Sequence, residues 1–141
     1  MDNIEYKKAV IIFDRGRHLL YGIYMGWLIS LLLDFTLLEK IIYFISMTTG
    51  LLLPDIDMPN TTYGKRIKPI SKFIYRTVGH RTLTHSIFFI TVLYFSCNIA
   101  FGINIISTGL MIGSIIHVFC DMFTVSGVPL AYPISNKCFK L

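Results

Sequence analysis

Apolar residues run through this chain in long blocks, broken once by an extended polar stretch. Leu19 to Leu33 carries no charge and, joined to Phe35 to Leu38, reaches the roughly 20 residues that cross a bilayer as a helix. Ile41 to Leu53 is a shorter second block, Ser86 to Ile106 a third, and Ser107 to Phe123 a fourth that carries His117 and Asp121 inside it. The pattern predicts spans at about residues 18–38, 41–53, 86–106 and 107–123, with residues 54–85 as a polar loop. The turns at 34–40 and 102–107 are short, which favours antiparallel neighbours. The expected fold is therefore all-α, an integral membrane four-helix bundle in a single domain over residues 1–141. For residues 1–17 a brief interfacial helix and a mobile tail both fit.

Composition supports the membrane reading. Hydrophobic residues make up 54% and charged residues 15% of the chain, and mean hydropathy is +0.64, values unsuited to a soluble domain of this size. The net charge is +5, from 13 Lys and Arg. Lys40 alone lies in a short turn; the others fall in the N-terminal segment, the 54–85 loop and the C-terminus. The positive-inside rule puts those three segments in the cytoplasm. Such charge is topological, and no nucleic-acid partner is expected. The apolar run near the N-terminus lacks a small-residue cleavage site and is expected to stay as an anchor. Three cysteines, two of them inside apolar blocks, imply no disulfide framework.

The polar residues then converge. His18 opens the first span, Asp55 and Asp57 close the second, His80 and His85 precede the third, and His117 and Asp121 lie near the end of the fourth. In the antiparallel topology all of them fall at the cytoplasmic end, and all 4 histidines of the chain are in the set. His117 and Asp121 are one helical turn apart and share a face, as paired metal ligands do. Ionisable groups in membrane helices are costly and usually functional; a buried hydrogen-bonded pair is the alternative. Asp55 and Asp57 lie between Pro54 and Pro59, which favours an extended chain with both carboxylates on one side, though a solvated turn also fits. Thr82 or Thr84 is expected to cap the helix that follows. Arg81, beside that helix start, suits an anion clamp or plain positive-inside charge. Gly22 and Gly26 after His18, and Gly109 and Gly113 before His117, are small-residue ridges expected to pack against each other.

The residues Leu-Pro-Asp-Ile-Asp-x-Pro (Leu53 to Pro59), Gly-His-Arg-x-x-Thr-His-Ser (Gly79 to Ser86) and His-x3-Asp-x2-Thr-x2-Gly (His117 to Gly127) resemble the YdjM-like family, described as LexA-binding, inner-membrane-associated, metal-dependent hydrolases. The match runs from His18 to Pro133, and it implies a bacterial membrane protein with a metal site. A weaker likeness is to membrane phosphatidic-acid phosphatases with a histidine nucleophile. Their Ser-Arg pair and Lys-x6-Arg-Pro motif are missing here, and that likeness leaves Asp55 and Asp57 without a role.

The resulting expectation is a membrane-embedded hydrolase with His18, Asp55, Asp57, His85, His117 and Asp121 as metal ligands and His80 and Arg81 as catalytic groups. Imidazole with carboxylate suits Zn, Mn or Fe. A site at headgroup level suggests a lipid or lipid-linked phosphoester as substrate. The alternative is a non-catalytic module that holds a structural metal and binds a cytoplasmic protein partner through its basic loop.

Overall fold

The computed structural model describes residues 19–61, 63–101, 104–124 and 126–141. Among them are five α-helices: α1 (Leu19–Leu31), α2 (Leu37–Leu52), α3 (Lys68–Val78), α4 (Ile87–Phe101) and α5 (Ile105–Met122). Short 3-10 turns at Pro54–Asp57 and Leu83–His85 complete the helical elements. No strand longer than an isolated bridge occurs among the described residues.

Capping explains the helix starts that apolar patterning missed. Thr36 and Glu39 form a capping box, with Thr36 N donating to Glu39 Oε2 at 2.8 Å and Glu39 N to Thr36 Oγ1 at 3.4 Å. The first apolar run is thereby broken: α1 stops at Leu31, and Leu37 and Leu38 begin α2, not the end of a 18–38 span. At α5, Asn104 Oδ1 accepts from Ile106 N at 2.9 Å and Ser107 N at 3.0 Å. By length and hydropathy, the helices able to cross a bilayer are Leu37–Asp57, which includes the 3-10 turn, and Ile105–Met122. The order of expectation is thus reversed. The block expected to be the clean third span gives a helix of 15 residues, and the short second block gives the longest candidate, 21 residues.

The 54–85 stretch is not simply loop. Residues 68–78 form α3, with Pro69 in its first turn, where a missing N–H costs nothing. Nor is Pro54–Asp57 extended; it is a 3-10 turn that continues α2.

The centre of the molecule is the α2/α5 pair, with α4 against α5. A Cβ on Gly113 would meet the Met47 carbonyl oxygen, one on Gly109 the Ser46 side chain, and one on Gly50 the Leu110 backbone. Ser114 Oγ donates across this seam to the Gly50 carbonyl at 3.1 Å. On an adjoining face of α2, Gly22 meets the Leu51 side chain and Gly26 the Met47 side chain. The two glycine ridges therefore do not meet; both pack on α2, which lies between them with Tyr43, Met47 and Leu51 fully buried.

After α5 the chain returns as a strap. Val128 and Phe139 form a two-way backbone bridge, and Ile87 N at the start of α4 donates to Leu130 O at 3.0 Å. Val128 packs with Ile90 and Val118 in a small core between strap, α4 and α5.

Candidate metal centre

Three segments deliver the polar residues to one place: the turn after α2, the Gly79–Ser86 loop and the last turns of α5. Gly79 (φ 83°) and Arg81 (φ 56°) both adopt left-handed backbone, which folds the loop tightly over the α2 terminus. Asp57, fully buried, organises that loop. Its Oδ1 lies 2.8 Å from His80 Nδ1, and its Oδ2 accepts from Arg81 N at 3.0 Å and Thr84 Oγ1 at 2.7 Å. Ser86, not Thr82 or Thr84, caps α4, since its Oγ accepts from Phe89 N at 3.1 Å. Thr82 Oγ1 donates instead to the Val78 carbonyl at 2.6 Å, closing the end of α3.

Beneath the loop, three ligand-type atoms form a small triangle. His85 Nε2 lies 3.3 Å from His117 Nε2 and 3.1 Å from Asp121 Oδ2, and His117 Nε2 is 3.5 Å from that same oxygen. Asp55 Oδ1 is 3.8 Å from His117 Nε2. A tetrahedral ion with bonds of about 2.0–2.1 Å has ligand atoms about 3.3–3.4 Å apart. The spacing fits one divalent cation.

The hydrogen bonds around the imidazoles favour ligation. Thr84 gives its only hydroxyl proton to the Asp57 carboxylate, so its oxygen accepts from His85 Nδ1 at 3.0 Å. That fixes the proton on Nδ1 and leaves the Nε2 lone pair pointing at His117 and Asp121, the tautomer a metal requires. Burial lowers the His85 pKa below the ordinary histidine value, with Asp121 opposing, which keeps the imidazole neutral.

Arg81, which by sequence suits an anion clamp or positive-inside charge, has its guanidinium engaged within the protein. Nη2 lies 2.8 Å from Asp121 Oδ1 and Nη1 2.9 Å from Thr124 Oγ1. Arg81 thus holds Asp121 so that Oδ2 faces the imidazoles. A second group of ligand-type atoms, from Asp55, Asp57 and His80, shares Asp55 with the set of Asp55, His85 and His117. Because both Asp57 oxygens already accept hydrogen bonds, we favour the deeper set. His18 lies outside the described residues.

A cavity of about 930 Å³ opens beside the cluster. The residues that line it include the polar Asp55, Lys65, His80, Arg81, His117 and Asp121 and the apolar Leu19, Leu51, Leu52, Met58 and Pro129. Thr84 and Thr124 were missed as site residues by sequence reasoning; the adjacent Thr-His pair and the Asp-x2-Thr spacing were the available signals.

A family model described as YdjM inner membrane protein matches residues 13–141. The chain belongs to this family. Inner membrane protein YdjM of Escherichia coli (strain K12) is 41% identical over 87 residues, which cover 58% of this chain and 44% of that protein. A Bacillus subtilis (strain 168) relative, named uncharacterized protein YvsG, is 36% identical over 88 residues, 62% of this chain and 55% of its own length. The chain thus spans about half the length of these curated relatives. No solved structure matches. The inner-membrane character of the YdjM family agrees with the two helices long and apolar enough to span a bilayer.

Proposed function

We propose that this YdjM-family chain is a membrane-embedded, metal-dependent hydrolase acting on a phosphoester of a lipid or lipid-linked substrate at the cytoplasmic face. The observation that carries the reading is the joining of a cluster of ligand-type atoms to a cavity lined by both polar and apolar residues. Such a cavity suits an amphiphile whose phosphate meets the cluster while its tail follows Leu19, Leu51 and Leu52.

In this reading His85, His117, Asp121 and Asp55 would hold the cation, with a further coordination position left for water. A divalent ion there supplies Lewis acidity and activates water. Zn, Mn and Fe all suit the donor set. Asp57 orients His80 through Nδ1, leaving Nε2 to carry a proton to or from the reacting oxygen at the cavity wall. Lys65 faces the same cavity and attracts the anionic group. Arg81 acts as a positioning residue.

Purified protein in lipid nanodiscs is expected to hydrolyse phosphate monoesters of lipids, to lose turnover with a chelator and to regain it with a divalent ion. Turnover that resists chelation would instead favour a histidine nucleophile. A structural metal in a partner-binding module predicts metal without turnover on any phosphoester.

The topology proposed with this function has four crossings, with both termini and residues 54–85 cytoplasmic, on the distribution of Lys and Arg. A reporter fused after Ile70 should read as cytoplasmic. An external reading would remove the cytoplasmic site.

A further inference from the structure

The helix α3 contributes no side chain to the metal cluster or to the cavity walls named above, yet its pattern is strongly segregated. Ile70, Phe73 and Thr77 share one face by helical spacing, and Lys68, Lys72 and Arg76 run along another at intervals of one turn. The third side is the one that packs. Ser71 is buried, and a Cβ on Gly64 would meet the Met58 carbonyl oxygen and, at 3.0 Å, Ser71 Oγ. The other two faces lie bare: Ile70 is 54% and Phe73 68% exposed, and the three cations are exposed as well.

We propose that α3 is an interfacial helix that lies in an anionic lipid leaflet, with Ile70 and Phe73 in the acyl boundary and Lys68, Lys72 and Arg76 among the headgroups. Two observations select a lipid surface as the occupant. The first is position: α3 packs against Pro54–Asp57, the end of the candidate span Leu37–Asp57, so it sits where a crossing helix leaves the bilayer. The second is charge. Lys65 and Arg66 are also exposed, and no Asp or Glu occurs anywhere between Asp57 and Asp121. An amphipathic helix with apolar and basic faces and no acidic residue matches the headgroup layer of anionic lipid. Seated there, α3 holds the turn that carries Asp55 and Asp57 at headgroup depth. The inference rests on the bilayer crossing of α2 and stands whether or not the metal site is hydrolytic.

Trp27 is the chain's one tryptophan, so a Trp27→Phe, Phe73→Trp protein carries a single reporter on the apolar face. The full chain is placed in nanodiscs of phosphatidylcholine alone or mixed with phosphatidylglycerol. In the anionic discs, Phe73→Trp fluorescence should be quenched by lipids brominated on the acyl chain and shielded from acrylamide. Adding Lys68→Gln, Lys72→Gln and Arg76→Gln should weaken seating on the order of a hundredfold in anionic discs and little in neutral ones. A tryptophan open to acrylamide and blind to brominated lipid in both compositions overturns the proposal and leaves this face to a protein partner. Seating that ignores both lipid charge and the triple variant overturns the anionic assignment. Ile70→Trp, on the same face, serves as the reporter if Phe73→Trp does not fold.

Discussion

Purified His117→Ala protein is expected to hold no divalent cation, while the parent holds about one per chain. His117 is the residue whose loss touches every other member of the cluster, because its Nε2 lies within 3.8 Å of His85, Asp121 and Asp55 atoms alike. Removing it leaves two carboxylates and one imidazole and takes away the atom that stands between them. Insertion should survive, since the α2/α5 seam is held by Gly50, Gly109, Gly113 and Ser114, not by the imidazole. Thr84→Val makes the informative comparison. It leaves all four ligands but removes the hydroxyl that joins His85 Nδ1 to Asp57, a kind of change that typically costs about 10–100-fold in affinity. Elemental analysis after size-exclusion chromatography checks both. Equal metal content in His117→Ala and parent would place the ion elsewhere, and an unaffected Thr84→Val would remove the tautomer argument.

Gly113→Leu should depress metal affinity and thermal stability together, although it touches no ligand. At Gly113 the backbones of α2 and α5 are so close that an added Cβ would run into the Met47 carbonyl oxygen and come within 2.6 Å of Leu51 N. Backbone cannot swing aside as a side chain can, so α5 must move off α2. His117 sits one turn further along α5 and Asp55 just beyond the end of α2, so the same displacement separates them. Overpacking of this kind typically costs about 1–3 kcal/mol, and a displacement of a fraction of an ångström is enough to spoil ligation. Gly22→Ala is the contrast. The atoms nearest its Cβ would be those of the Leu51 side chain, mainly its terminal methyls, not backbone. Metal titration and melting of the three proteins check the ordering, with Gly22→Ala close to parent. If Gly22→Ala lost metal as Gly113→Leu does, the distinction between a backbone and a side-chain contact on α2 would be wrong.

The convergence of Asp55, Asp57, His80, His85, His117 and Asp121 was legible because each stands at a boundary between polar and apolar sequence, where position along the chain also sets depth in a membrane. The partners of the glycines were not. A Gly-x3-Gly ridge shows that some backbone comes close but not which one; α2 meets Gly109 and Gly113 with its own Ser46-x3-Gly50 and meets Gly22 and Gly26 with the side chains of Leu51 and Met47. The start of α2 was hidden because Thr36 and Glu39 read as turn residues although they form a capping box. The helix α3 was hidden by its proline and its charges, since apolar blocks were the guide and its signal is one of period. The pairing of Arg81 was not legible for a reason of distance: its partner Asp121 lies 40 residues away, and only the folded loop brings the guanidinium to that carboxylate.

X-ray absorption at the edge of the bound metal in the purified parent protein tests the central claim most directly. The account predicts a shell of nitrogen and oxygen at about 2.0–2.2 Å with the multiple scattering of two imidazoles, from His85 and His117, and no sulfur. A sulfur neighbour at about 2.3 Å, pointing to Cys120 or Cys138, or a shell without imidazole scattering would contradict it.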